Sequence, residues 1–335
     1  TTGSENIAIG RNALDANQTA NASVAIGDHA LTSAVNRQGN VAVGYQAAQD
    51  IDTTGVVAIG YRALMNSSGG YDTVAIGTNA LYSNSTGYSN TAIGYQTLYS
   101  NSTGIQNTAI GNGALDSNTT SSYSTAVGTD SLTASTGPYN TAVGVGALGA
   151  CTSGQQNTAV GYHASVATTT GLYNTAVGLQ SARDLTTGSN NHCFGYRAGD
   201  NTSHFHLTTQ TGRLIVGNNG TTNAYVQVAW TVVSDARDKT EVENIDVGLD
   251  LINELRPISY KFTDNREDKN PVGRTKYGFL AQEVLAVEGE NSVIVDDEEE
   301  EKLKMTTDNL TAVLVKAVQE LSGQVDELKA KLENK

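Results

Sequence analysis

A four-residue unit, x-Ala-[Ile/Val]-Gly, recurs eleven times in the first two hundred residues, with a twelfth, variant copy, and sets what this chain can fold into. It reads IAIG at 7–10, then VAIG, VAVG, VAIG and VAIG, then TAIG twice, TAVG four times and HCFG at 192–195. The motif glycines, from Gly10 to Gly195, are 17 residues apart, twice 16. One such unit is too small to bury its own apolar face, so a fixed short period implies coils stacked into a solenoid. After each glycine come pairs such as Ala63-Leu64, Ala80-Leu81 and Ala147-Leu148, and then runs such as SNSTGYSN that are turn material. The pattern predicts two short strands and two turns per coil. It also predicts that the Ile/Val of each motif points inward and that the glycine permits a bend or a close backbone approach.

Twelve coils at a spacing of ~4.8 Å make a rod of roughly 58 Å. Each coil offers mainly one Ile/Val and one Leu as large apolar groups, which leaves a single thin roll poorly covered. Three chains side by side would cover the rest, and a homotrimer is expected. Over residues 1–200 the repeat resembles the β-roll head of trimeric autotransporter adhesins, whose unit is similar but slightly shorter. The fold class expected is mainly β: a trimeric β-roll of about 17-residue coils, then a small α+β domain ending in a coiled-coil helix.

Charge excludes several functions. Residues 1–233 carry six arginines, no lysine and ten acids, net −4, and residues 234–335 carry fourteen bases and twenty-four acids, net −10. Neither part offers the basic field that nucleic acid or an anionic membrane surface demands, so neither partner is expected. No run of 18 apolar residues is present, so no membrane insertion is expected either. The chain opens on Thr1 with no signal peptide, which reads as a fragment of a longer protein. A polysaccharide hydrolase needs two carboxylates facing one cleft, whereas the acids of the rod are scattered through turns and read as solvated. Tyr45, Tyr61, Tyr95, Tyr162 and Tyr196 follow motif glycines. They fit a carbohydrate-binding ladder, and they fit packing between coils better. Cys151 and Cys193 sit at repeat positions, and packing is the role expected of them.

After Gly195 the period lapses. Residues 201–233 read as a β connector, with strands in RLIVG and in the alternating stretch Tyr225–Trp230. His204 and His206 would point to the same side of a strand, and a three-fold axis would gather six imidazoles able to hold a transition metal. Some phage long-tail-fibre tips resemble this arrangement. Exposed polar histidines are the plainer reading, and no other cofactor is expected.

Residues 234–335 have the composition of an ordinary charged globule. IDVGLDLINELRPISYKF predicts a short helix ending at Arg256-Pro257 and then a strand. YGFLAQEVLAV predicts a strand running into a helix, and SVIVDDEEEEKLKM a hairpin around a solvated acidic turn. Leu314, Val318, Leu321, Val325, Leu328 and Leu332 form a heptad seam, predicting a coiled coil over about 308–333.

Four blocks, SDARDKT, LINELRPISYKF, YGFLAQEV and LTAVLVKAVQEL, resemble in order the intramolecular chaperone domain of phage tailspikes and tail fibres. That family is also a self-cleaving serine–lysine peptidase. The resemblance implies Ser234 as nucleophile, Lys239 as base, and Val233–Ser234 as the bond cut. Asp238 departs from the apolar residue often found before the lysine, and its carboxylate would favour the protonated amine and slow the reaction. Chemically, a serine hydroxyl needs a base, and lysine serves only when neutral. Its pKa must then fall from about 10.4 towards 7 through burial or nearby cations, a demand that assembly into a trimer can meet. Five residues is not a same-face helical spacing, so the serine is expected on a turn or cap.

The function expected is a phage tail-fibre segment, located in the virion, that attaches to a host glycan or surface protein. Its C-terminal domain drives trimerisation and then leaves by autoproteolysis, with no other activity. The alternatives are a bacterial cell-surface trimeric adhesin with a borrowed chaperone domain, and the stalk of a polysaccharide-degrading tailspike whose catalytic domain lies outside this chain.

Overall fold

The computed structural model describes all residues except 1, 203, 204, 222, 228–231, 264–268, 290, 291, 299, 300, 302 and 335. It divides into two units, Thr1–Asn219 and Gly220–Lys335.

The first unit is a β-solenoid of about eleven turns of roughly 17 residues. Each turn lays one three-residue strand, from Ile7–Ile9 to Leu214–Val216, into a 13-stranded parallel sheet. Register is set by the motif, with Ala109 opposite Ala126, Ala126 opposite Ala142, and Ala142 opposite Ala159. The direction of the side chains is the reverse of that expected. The motif Ala is the inward residue, fully buried at Ala25, Ala92, Ala126 and Ala159, whereas Ile59, Ile110 and Val160 are 37–38% exposed. Successive residues of a strand face opposite ways, so x and Ile/Val share the outer face. The interior is narrow. A methyl from the strand and one Leu from the following turn fill it, as Leu31, Leu64, Leu81, Leu98 and Leu115 do at full burial.

One strand per coil forms instead of two, apart from a short extra pair between Asp50–Ile51 and Asn66–Ser67. The Leu-bearing wall is built from turns because its residues are left-handed, with φ 48° at Leu64 and 51° at Leu81. Holding such a residue left-handed costs about 1–2 kcal/mol, which burying its leucine side chain, worth about 1.5–3 kcal/mol, offsets. Coil-to-coil bonds then hold the wall, as from Leu81 N–H to Thr97 O at 2.9 Å and Leu98 N–H to Ala114 O at 3.0 Å. The motif glycine is obligatory. At Gly94, φ is 139°, and a Cβ there would lie 2.4 Å from Gly111 O.

A buried polar ladder precedes the strands. The Asn107 N–H donates to Asn90 Oδ1 at 2.9 Å, the Asn174 N–H to Asn157 Oδ1 at 2.9 Å, and the Asn191 N–H to Asn174 Oδ1 at 2.9 Å. Each amide is satisfied by the neighbouring coil, so burying it costs little. The last turn, from Gly195 to Gly217, is enlarged to 22 residues yet still pairs Cys193 with Ile215. Beyond it the expectation for Tyr225–Trp230 is corrected where described: Tyr225 and Val226 are exposed and lie in no strand, and residues 228–230 lie outside the described residues.

In the second unit α1 (Leu249–Glu254) leads to strand Ile258–Thr263, which pairs antiparallel with Pro271–Gly278. Next come α2 (Ala281–Glu288), the hairpin of Val295–Asp296 with Lys304–Met305, and α3 (Thr307–Glu333). Val284, Ile294, Val295, Leu310 and Val313 form the core. Glu288 fastens the end of α2 by accepting the N–H groups of Val293, Ile294 and Val295 at 2.9, 2.7 and 3.0 Å. Glu320 on α3 accepts the Leu249 N–H at 2.8 Å, a bond that holds its carboxyl below the usual range. The α3 seam from Leu314 to Leu332 stays solvent-exposed, at 43% and 73% for those two residues.

Candidate functional site

Ser234 and Lys239 flank one turn of 3-10 helix, Ala236–Asp238, in the second unit. Asp235 caps it from an extended conformation, its Oδ1 accepting the Arg237 N–H at 2.9 Å. The Asp238 N–H then bonds Asp235 O at 3.1 Å and the Lys239 N–H bonds Ala236 O at 3.3 Å. The turn folds the chain back, and Lys239 Nζ donates to Ser234 Oγ at 2.7 Å. The two residues named from the sequence are therefore in contact. The serine lies one residue ahead of the cap, which is Asp235, and not on the turn or the cap as its spacing from the lysine predicts. Both side chains are exposed in the single chain, and so is Val233 at 78%.

Asp235 and Arg237 were not singled out in the sequence. The signal was there: an Asp at the head of a short turn is a preferred cap. Arg237 binds the Asp235 carboxylate through Nε at 3.1 and 3.2 Å and Nη2 at 2.6 Å. That side-chain bond and then the cap bond hold the Asp235 carboxyl below the usual range, so it is ionised at neutral pH.

Residues 234–294 match the family model described as chaperone of endosialidase. The C-terminal region carries a chaperone domain of this kind. The family is one of self-cleaving peptidases, and the match to the chaperone domain begins at Ser234 itself. It ends at Ile294, so the hairpin and α3 lie beyond the matched residues. No curated protein and no solved structure matches the chain.

The remaining candidates lie in the roll. His204 lies outside the described residues. His206 is half-buried with Nε2 3.5 Å from Asp184 Oδ2, so a carboxylate is its neighbour. Among the described residues no group of three or more His, Cys, Asp or Glu is arranged to hold a metal, and no helix is long and apolar enough to cross a membrane. Tyr45 and Tyr61 stack at 5.3 Å with planes 13° apart. Pairs missed in the sequence do the same: Tyr71 with Tyr88 at 4.6 Å, Tyr82 with Tyr99 at 5.2 Å, and Tyr123 with Tyr139 at 5.1 Å. These stacks join neighbouring coils, whereas Tyr162 stacks on His163, Tyr196 lies under Arg197, and Tyr95 is exposed. Acids of the roll pair with arginines of the adjoining coil, as Asp28 does with Arg11 at 2.7 Å and Asp52 with Arg37 at 2.7 Å. Cys151 and Cys193 are buried and free, the latter in place of a motif Ala.

Proposed function

We propose that this chain is a segment of a phage tail fibre that attaches the virion to a host glycan or surface protein. Its C-terminal domain brings three chains together and then releases itself by cutting Val233–Ser234. The observation that carries the reading is the 2.7 Å contact of Lys239 Nζ with Ser234 Oγ at the first residue of the family match. In the reaction, neutral Lys239 takes the hydroxyl proton and Ser234 Oγ attacks the Val233 carbonyl carbon. The Val233–Ser234 C–N bond breaks as the proton passes to the freed amine, leaving the Val233 acyl group as an ester on Oγ. Water hydrolyses that ester, giving a carboxylate on Val233 and restoring the serine hydroxyl.

Two uncovered apolar surfaces support the trimer. One is the outer face of the sheet, where Ile7, Ile9, Ile59 and Val143 are more than a third exposed. The other is the α3 seam, where Val318, Leu321 and Leu328 are exposed by 49–65%. Six seam positions in heptad register suit a helical partner, and a second and third copy present the same surface. A partner that buries Lys239 supplies the desolvation that a lysine base requires, which ties cleavage to assembly. Gel analysis of the expressed chain is the test. Ser234→Ala and Lys239→Ala should each leave one full-length band and still form trimers by light scattering. Cleavage that survives either change would refute the dyad.

A further inference from the structure

We infer that Asp235 is the positioning residue of the cleavage site, holding the turn that brings Lys239 onto Ser234; this rests on the self-cleavage reading above. Five residues of extended chain would separate the two by roughly 17 Å, and five residues of α-helix would put them on different faces. The 3-10 turn between them solves that problem, but it is weak by itself. It spans three residues, buries none of them, and closes on two backbone bonds of 3.1 and 3.3 Å. Turns of this kind have poorer hydrogen-bond geometry than an α-helix and occur in short pieces, so a side-chain bond at the head adds materially to their hold.

Asp235 supplies that bond. Its Oδ1 accepts the Arg237 N–H at 2.9 Å, which satisfies a donor at the head of the turn. Both carboxylate oxygens also hold the Arg237 guanidinium, with Arg237 88% exposed. An ion pair so open to water contributes less than a cap bond, so the cap is the larger of the two effects. Asp235 acts through the backbone and takes no proton from the serine. Without it the turn opens and the Lys239–Ser234 contact becomes one conformation among many.

The test follows cleavage over time in the full-length chain carrying Asp235→Ala, Asp235→Asn, Asp235→Ser or Ser234→Ala, beside the unaltered chain. Asp235→Ala should slow cleavage by about two- to thirtyfold, the factor that corresponds to a lost cap, at unchanged trimer mass and melting temperature. Asn and Ser retain a capping oxygen and should restore the rate to within a few-fold, a rescue that loss of a charge or of general stability would not produce. The inference is overturned if Asp235→Ala cleaves at the unaltered rate, or if Asn and Ser are as slow as Ala. It is overturned too if Asp235→Ala does not assemble, since the turn would then be a folding element. The underlying reading fails separately, through an unaltered chain that is never cut at Val233–Ser234 or a Ser234→Ala chain that is.

Discussion

Sealed inside the coil stack, the two cysteine thiols are held in the protonated form. Burial pushes Cys193 up to about 12 and Cys151 up to about 11, the latter eased slightly by its 3.5 Å bond to Gly154 O. Thiolate is the reactive species, so the folded roll at pH 8 should give no reaction with a thiol reagent, and two thiols should appear on denaturation. Absorbance of the released chromophore measures both. The sign for stability follows: the unfolded chain loses these protons first as pH rises past ~8.5, so the thiols weaken the fold above that value and not below it. At the same scale, the site was half legible. Ser234 and Lys239 stand out through the resemblance of their block, since a serine five residues from a lysine marks no pair by itself. Asp235 carries a cap signal in the sequence, but that signal marks the head of a turn and says nothing of a link to the cleavage chemistry.

At the scale of the element, α3 joins two roles on two faces. Leu310, Val313 and Ala317 are buried, whereas Leu321 is 49% exposed in the seam. Leu321→Asp should leave the single-chain core intact and prevent trimer formation by light scattering. It should also abolish cleavage, since the lysine would then stay in water. A trimeric, normally cleaved Leu321→Asp chain would separate the seam from both events. The strands show why part of the fold was hidden. The period of about 17 residues is unmistakable because eleven successive intervals repeat it. Which face turns inward is not, because the strand Thr125–Val127 alternates between an apolar residue and another that is also apolar or small. Hydrophobicity favours Val or Ile inside, but in the regular coils the narrow interior is filled by an Ala methyl and a Leu, and a larger residue, Ile215, takes the inward position only after the enlarged last turn. The second wall reads as a strand in the sequence because left-handed leucines have no sequence mark of their own.

Across the whole molecule, composition and architecture change at nearly the same place. The first 233 residues contain no lysine, and Lys239 is the first of ten. A rod whose coils are near copies has a register problem. Slipping one chain by one coil against another buries nearly the same groups, so packing alone discriminates poorly between alignments. A C-terminal domain that assembles first removes the ambiguity, and once the rod has formed the domain is dispensable. On this account the repeats are the lasting product, and residues 234–335 are the tool that aligned them.

Mass spectrometry of the small fragment released from the full-length trimer tests that account most directly. The small product should be a 102-residue chain whose first residue is Ser234, beside a rod ending in Val233. A fragment beginning at any other residue, or an intact chain in a fully assembled trimer, would contradict it.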